Sequence, residues 1–208
     1  VVPQGCWFDS SHSHKFGNFT KKCYICEKFL MELNFKTTDS ISLTGKNELL
    51  SNKCVQFLNN RIQQEELSSR LYLAMSLWLN NNGYLGSAKL WRKYSEEELK
   101  HAEWSREYLL AMGVQPETPK LDSPKQTFAG LPDIIKQSYQ HEIDITKQCK
   151  ELTANALKEA DFMLYTLGMK YLQEQIEEHE KTQNLMDRLA AFGTDKIALR
   201  LLDNELGS

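Results

Sequence analysis

The sequence lacks a long apolar run and a strong excess of charge of either sign. No stretch approaches the roughly 20 apolar residues that a membrane-spanning helix needs, so we expect no membrane segment. The N-terminal residues lack a sustained apolar stretch after a basic start, and no secretory signal is predicted. A formal net charge of −3 argues against a basic surface that binds nucleic acid.

The chain also lacks the even set of cysteines that a disulfide scaffold requires. It has five cysteines in 208 residues, and this odd number does not favour such a scaffold. Cys54 and Cys149 fall within predicted helices, where a free thiol usually behaves as a small apolar side chain. We therefore expect the reducing cytoplasm as the location.

Proline is scarce, and four of the five prolines lie between residues 116 and 132. Periodic segments on either side predict four long helices and a short fifth one. Their approximate bounds are 47–80, 87–112, 132–160, 162–192 and 194–206. The proline-containing segment is too long for a tight turn and favours a crossover along a bundle. The sequence thus predicts an all-α domain over residues 47–208, a four-helix bundle with a long crossover between the second and third helices.

Each long helix carries an apolar seam that polar residues interrupt near its middle. Glu98 and His101 are the most informative of these residues, because side chains three positions apart lie on one face of a helix. The other interruptions are Glu65, Glu142, and the pair Gln175 and Glu178. If the helices form one antiparallel bundle, these interruptions meet at one level inside it.

Four buried carboxylates with one imidazole require either strongly raised pKa values or bound cations. Two divalent cations would balance four carboxylates. Oxygen-rich ligands with one nitrogen suit iron or manganese better than structural zinc, which prefers thiolate and imidazole. The sequence therefore predicts a dinuclear carboxylate site, and the alternative for any single glutamate is a flank residue that extends to water.

Four short segments carry a likeness to a known family: Leu67–Tyr72 (LSSRLY), Glu97–Glu103 (EELKHAE), Tyr139–Glu142 (YQHE) and Glu174–Glu178 (EQIEE). Through them the chain resembles the ferritins of the non-haem bacterial type, over about residues 53–206. The resemblance implies a ferroxidase that oxidises Fe(II) with dioxygen at a di-iron centre within each subunit. It also implies storage of an Fe(III) oxyhydroxide mineral inside a homo-oligomeric cage of 24 subunits, with the fifth helix at the fourfold axes.

The resemblance also implies the roles of individual residues. The first iron would have three ligands: Glu65, Glu98 and His101. The second would share Glu98 as a bridge and add Glu142 and Glu178. Gln175 matches a glutamine near the second iron and the bound oxygen, and Tyr72 matches a tyrosine beside the centre that supplies an electron or a hydrogen bond. A third, weaker iron site would use Glu97, Glu174 and Glu177, for which a solvated face is the alternative.

Two departures from the haem-binding bacterioferritins lead us to predict no haem. Leu99 stands where those proteins have the methionine that ligates haem, and its side chain cannot ligate iron. The fourth helix has Gln175 and Glu178 in place of a second Glu-x-x-His motif. The early His and Asp pattern of the small DNA-protecting relatives is absent as well.

Residues 1–46 show no sustained helical period and are predicted to be an extension of unknown role. Cys23 and Cys26 have the spacing of two zinc thiolates. With Cys6, His12 and His14 they form a candidate small metal site. The alternatives are a segment unrelated to iron chemistry, a Ser- and Lys-rich targeting peptide, and a chain start at Met31.

Two other functions compete with iron storage. One is a di-iron oxidase, or an oxygen- or peroxide-detoxifying protein, that forms no mineral. Gln175 in place of a second Glu-x-x-His motif weighs against the usual substrate oxidases. The other is a packaging protein whose metal site is vestigial, against which the complete ligand set argues.

Overall fold

The computed structural model describes residues 49–208. These residues form five helices, which we number α1 (Asn52–Asn81), α2 (Leu85–Ala111), α3 (Leu131–Lys158), α4 (Phe162–Phe192) and α5 (Lys196–Leu206). No strand occurs in this part of the chain, which confirms the all-α prediction. The predicted extension over residues 1–46, its candidate metal site and the predicted helix start at Asn47 lie outside the described residues. Residues 49–51 are described and are not helical, so α1 begins later than predicted.

Side-chain caps set the first residue of several helices. Ser51 Oγ accepts a hydrogen bond from the backbone N–H of Cys54 at 3.2 Å, which satisfies a donor in the first turn of α1. Asp161 does the same for α4, whose observed bounds agree with the prediction. Asp195 accepts from two backbone N–H groups, so α5 begins at Lys196, two residues later than predicted.

The end of α3 differs from the prediction, which continued the helix to about Ala160. The observed helix ends at Lys158, because Ala160 has a φ of 54° and therefore leaves the right-handed helical region. The N–H groups of Ala160 and Asp161 then bond to carbonyls in the last turn of the helix. Gly83 also has a positive φ, of 82°, and makes the corresponding turn after α1.

Short connections make α1 and α2 one antiparallel pair and α3 and α4 another. The segment between the pairs, residues 112–130, contains no helix. It runs along α1, since Gln63 donates to the carbonyl of Lys120 at 3.0 Å and Glu117 N–H donates to Asn59 Oδ1 at 3.1 Å. The predicted crossover is thus confirmed.

Two apolar clusters lie on either side of a polar level in the bundle. The first cluster includes Met75, Leu79 and Trp91, and the second includes Leu58 and Cys149. Along every long helix, the residues of one cluster and those of the other are separated by the polar interruption of its seam. We call this level the polar layer, and it consists of Glu65, Tyr72, Glu98, His101, Glu142, Gln175 and Glu178.

The short α5 is fastened to the start of α2. Asp203 is buried and accepts hydrogen bonds from the backbone N–H of Ser87 at 2.7 Å and from its hydroxyl at 2.8 Å. Gly86 permits this approach, because a Cβ atom there would lie only 1.9 Å from the carbonyl oxygen of Asp203. Among the described residues, no helix combines the length and apolar character needed to cross a membrane.

Candidate metal centre

The polar layer buries acidic side chains that normally remain in water. Glu142, Glu65 and Glu98 are only 1%, 2% and 5% exposed. An isolated buried carboxylate is unstable in its charged form, so each of these groups needs a proton, a hydrogen-bond donor or a cation. The chain supplies some hydrogen-bond donors and cations of its own.

Three residues from two helices make one compact group. Glu65 on α1 and Glu98 and His101 on α2 each offer one ligand atom, and these atoms all lie within 4.8 Å of one another. Glu98 Oε2 is 3.3 Å from His101 Nδ1, as their i, i+3 spacing on one helix face predicts. Glu65 Oε2 is buried and has no cationic partner among the described residues.

A second group shares the same histidine. His101, Glu174 and Glu178 also offer three ligand atoms within 4.8 Å of one another, and His101 Nε2 is 3.5 Å from Glu174 Oε1. Glu178 was predicted for the second iron, whereas Glu174 was predicted for the weaker third site. The fold thus brings a residue of the predicted third site next to the histidine.

Glu142 belongs to neither group but is held in the same layer by two donors. Its Oε1 accepts a hydrogen bond from the hydroxyl of Tyr72, and its Oε2 lies 3.5 Å from Gln175 Nε2. Gln175 is oriented in turn by Thr146, whose hydroxyl donates to its Oε1 at 2.7 Å. Tyr72 and Gln175 therefore contact one predicted ligand directly.

The other two residues of the predicted third site lie apart from these groups. Glu97 is half-buried and pairs with Lys181 at 3.5 Å and Lys93 at 3.6 Å. Glu177 is exposed to solvent. Neither three-residue group includes them, so the third site stays a prediction.

Burial dominates the electrostatics of the polar layer. It raises the pKa of Glu98 well above its ordinary value, and the nearby charges of Glu65 and Glu142 raise that pKa further. Burial also raises the pKa of Glu142 to about 7, against the opposing hydrogen bond from Tyr72. The pKa of Glu178 is raised for the same reason. Without cations, this layer therefore retains protons that exposed carboxylates release.

Two cations of the chain itself contact ligands that were predicted for the two-iron centre. Arg61 Nε is 2.7 Å from Glu65 Oε1, and Lys181 Nζ is 2.8 Å from Glu178 Oε1. Sequence reasoning missed both, although each lies three or four residues from its partner on the same helix, which is the spacing of a helical ion pair. The sequence did not predict that Arg61 is buried, because an arginine in a helix is usually exposed.

Further polar and aromatic side chains contact His101 and Tyr72. The hydroxyl of Tyr171 donates to the backbone carbonyl of His101 at 2.7 Å, and the Trp104 ring lies 4.8 Å from the imidazole. His141 packs edge-on against Tyr72 with ring centroids 5.6 Å apart and bonds to the Ser68 hydroxyl at 2.8 Å. Sequence reasoning gave none of these supporting contacts. Those of Tyr171 and His141 join different helices, whereas Trp104 lies on the same helix as His101, three residues further along.

The donor set fits divalent iron. It is rich in carboxylate oxygen with a single imidazole, and such ligands suit iron or manganese rather than structural zinc. Glu65 Oε2 is a buried acceptor without a cationic partner among the described residues, and a metal ion there would replace the proton that Glu65 and Glu98 share through their hydrogen bond. The residues able to hold metal are Glu65, Glu98, His101, Glu174 and Glu178 in the two groups, with Glu142 beside them.

Comparison with known proteins gives a consistent result. A family model described as "Ferritin-like domain" matches residues 55–192. A probable bacterial non-heme ferritin-like protein of Haemophilus influenzae is 31% identical over 160 residues, which is 77% of this chain and 97% of that protein. A bacterial non-heme ferritin of Campylobacter jejuni is 30% identical over 155 residues, which is 74% of this chain and 93% of that protein.

Solved structures agree with the sequence comparison. An open pore ferritin from the hyperthermophilic archaeon Archaeoglobus fulgidus superimposes with a TM-score of 0.74 at 31% identity. The match covers 76% of this chain and 97% of the archaeal chain. The residues that the family model matches, 55–192, include the whole polar layer.

Proposed function

The chain belongs to the ferritin family, and from that premise we propose that it oxidises Fe(II) inside its helical bundle and stores the iron as a ferric mineral. The observation that carries the proposal is the group formed by Glu65, Glu98 and His101, whose ligand atoms lie within 4.8 Å of one another in the buried layer. Iron is here the substrate and the cargo of the protein.

The proposal assigns two irons to each subunit. Glu65, Glu98 and His101 hold the first iron, and Glu98 bridges to a second iron held by Glu142 and Glu178. Gln175 and Tyr72 support Glu142 through their hydrogen bonds to its two oxygens. Glu174 is a candidate ligand for a third, weaker site together with Glu97 and Glu177, and its 3.5 Å distance from His101 Nε2 supports that role.

The chemistry follows from the ligand type. Anionic oxygen ligands stabilise Fe(III) relative to Fe(II), which favours oxidation in such a layer. Two Fe(II) ions give up one electron each, and one dioxygen accepts both electrons with two protons to form hydrogen peroxide. Before iron arrives, protons occupy part of the layer, because burial raises the pKa of Glu98 and Glu142. Iron binding therefore displaces protons, as is general for deprotonated ligands.

Assembly into a homo-oligomeric cage of 24 subunits belongs to the same proposal. The match covers 97% of the archaeal ferritin chain, which supports a shared subunit shape. The domain over residues 47–208 would build the shell, and the role of residues 1–46 is a separate question. The cytoplasmic location stays a prediction from cysteine usage.

Aerobic Fe(II) titration combined with native mass tests the proposed function. Wild-type protein should oxidise two Fe(II) per subunit in a fast phase and should then load hundreds of irons into a particle near half a megadalton. Glu96→Gln is the matched control, since Glu96 is an exposed acid on the same helix. Glu98→Gln should lose the fast phase, whereas Glu96→Gln should keep it.

The outcomes also separate the competing functions. Fast oxidation without retained iron would favour a di-iron oxidase or a peroxide-detoxifying protein that forms no mineral. Assembly without fast oxidation would favour a packaging protein. Equal kinetics in wild type and in Glu98→Gln would remove the polar layer as the site of oxidation.

A further inference from the structure

Arg61 is a charged side chain buried as completely as the apolar core. It is 2% exposed and ranks among the largest fully buried side chains of the described residues. Burying a guanidinium is unfavourable unless a negative charge lies against it. The position is therefore explained by what surrounds it.

The guanidinium lies against Glu65, one of the three residues of the candidate metal group with Glu98 and His101. Its Nε is 2.7 Å from Glu65 Oε1, and both side chains are 2% exposed. Nη1 donates to Gln148 Oε1 at 3.2 Å and lies 3.7 Å from Cys149 Sγ, while the ring of Tyr171 lies 5.7 Å from the guanidinium carbon. These contacts hold the cation beside the polar layer on a side chain that is only 2% exposed.

The two oxygens of Glu65 have different environments. Oε1 pairs with Arg61, whereas Oε2 is buried and has no cationic partner among the described residues. In the metal-free layer the Glu65 carboxylate also hydrogen-bonds to the Glu98 carboxyl group, whose pKa is raised. The oxygen that remains for an external cation is thus Oε2. A metal ion bound there would share one carboxylate with a fixed positive charge.

We propose that Arg61 is a positioning residue that serves as the internal counter-cation of the metal centre. In the metal-free subunit it neutralises Glu65 in place of iron and directs Oε2 toward the other ligands. In the metal-bound subunit its charge remains and weakens the hold of the centre on a divalent cation. This inference rests on the proposed function, because it requires that Glu65 binds metal.

Arg61 differs from Lys181 in how deeply its charged group is buried. Lys181 pairs with Glu178, yet it is about one-third exposed and its flexible chain can turn toward solvent when a metal ion binds. Arg61 lacks that freedom, because the surrounding side chains enclose it. Repulsion between its charge and the metal therefore persists, and in a buried site such repulsion is screened much less than at the surface.

Weakened binding suits a centre that passes its product on. Iron that is oxidised in the polar layer must leave it before the next pair of ions binds. A permanent positive charge beside the first iron favours that departure. Removing the charge should therefore tighten metal binding and slow the repeated use of the centre.

The test uses the full-length, metal-free protein, with zinc as a probe that is not oxidised. Zinc affinity is measured by calorimetric titration, and thermal unfolding is recorded with and without zinc. Arg61→Gln should bind zinc at least about tenfold more tightly than wild type, since a nearby charge is removed at low effective dielectric constant. The same variant should unfold at a lower temperature without zinc, and zinc should restore more of its stability than it adds to wild type.

Three further variants separate charge from structure. Arg61→Lys keeps the charge and should keep the zinc affinity near that of wild type. Arg61→Met keeps most of the volume and should tighten zinc binding as Arg61→Gln does. Arg106→Gln is the matched control, because it breaks ion pairs with Glu66 and Glu103 at the edge of the bundle and should leave zinc affinity unchanged.

Each outcome decides the matter. Unchanged or weaker zinc binding in both Arg61→Gln and Arg61→Met would overturn the inference while the proposed function stands. Equal tightening in Arg61→Lys would overturn it as well. A variant that folds only with zinc would support it, because zinc would then replace the missing cation. A wild-type protein that binds neither zinc nor Fe(II) would overturn the proposed function itself.

Discussion

The polar layer lies on the four long helices, and the apolar clusters on either side of it come mainly from the same helices, with additions such as Phe128 of the crossover and Leu202 of α5. Both regions are deeply buried. In the first cluster, Met75, Leu79 and Trp91 have no exposed surface, and their burial stabilises the fold. In the polar layer, Glu65 and Glu142 are almost as deeply buried, and burial opposes their charged forms. Deep burial thus stabilises one region and is costly in the other, which is expected where stability is given up for function.

The two regions also differ in how their groups are satisfied. The clusters are filled by side chains of suitable size, and their polar atoms pair locally, as Trp91 Nε1 does with Ser138 Oγ at 2.9 Å in the first of them. The polar layer needs protons, the cations Arg61 and Lys181, and specific donors such as Tyr72. Substitutions in the two regions should therefore have opposite consequences for stability and for iron chemistry.

Removing core volume should give the largest loss of stability. Trp91→Ala deletes a fully buried indole and leaves a cavity, so we expect the free energy of unfolding to fall by about 3–5 kcal/mol. Urea unfolding of the metal-free protein measures this loss. A loss below about 1 kcal/mol would contradict the assignment of the first cluster as the stabilising region.

Removing a metal ligand should give the complementary result. Glu98→Ala or His101→Ala should slow the fast oxidation of two Fe(II) per subunit by on the order of a hundredfold or more, because a group of the shared ligand set is lost. Circular dichroism should show the helical fold intact. Unchanged stopped-flow kinetics in both variants, with Glu96→Ala as the exposed control, would rule out this site.

The pH dependence of stability should distinguish the layer from the clusters. In the unfolded chain Glu142 releases its proton near its ordinary pKa of 4.5, whereas in the metal-free fold its pKa is about 7. Between these values the folded state binds more protons, so the stability of the metal-free protein falls as the pH rises. The contribution is at most about 3 kcal/mol, from the size of the pKa shift.

Unfolding of wild type and Glu142→Gln at pH 5 and pH 8 measures that contribution. The wild type should lose more stability than the variant over this range. Bound divalent metal should remove the difference, because it replaces the proton. Parallel curves for the two metal-free proteins would contradict the assigned pKa of Glu142.

The contact that fastens α5 should give the smallest of these effects. Asp203→Ala removes the acceptor of two hydrogen bonds from Ser87, and we expect a loss of about 1–3 kcal/mol with fast Fe(II) oxidation retained. Urea unfolding and oxidation kinetics of the same preparation measure both. Loss of fast oxidation in a folded subunit would show that the polar layer depends on α5.

Periodicity predicted the buried face of each helix well. The polar interruptions of all four seams are buried, as predicted: Glu65, Glu98, His101, Glu142, Gln175 and Glu178. Glu65, Glu98 and His101 meet as expected, because a shared level in an antiparallel bundle follows from position along each helix. Ferritin membership was likewise available from four short segments, and the family match confirms it.

What sequence reasoning missed depends on the approach of separate helices. The helix end at Lys158 is set by the positive φ of Ala160. An alanine does not indicate a positive φ, so the sequence did not predict this end. Arg61 was not expected in the interior, because its burial depends on groups from two other helices, Gln148 and Tyr171. The hydrogen bond from Ser68 to His141 likewise joins α1 to α3. Distances between helices, rather than the pattern along one of them, decide such contacts.

Anomalous diffraction at the iron absorption edge, from crystals loaded with Fe(II) under anaerobic conditions, tests the central claim most directly. We predict one iron among Glu65, Glu98 and His101 and a second among Glu98, Glu142 and Glu178, both inside the subunit. Anomalous peaks confined to the outer surface, with Arg61 and Lys181 still the sole cations on those carboxylates, would contradict the account.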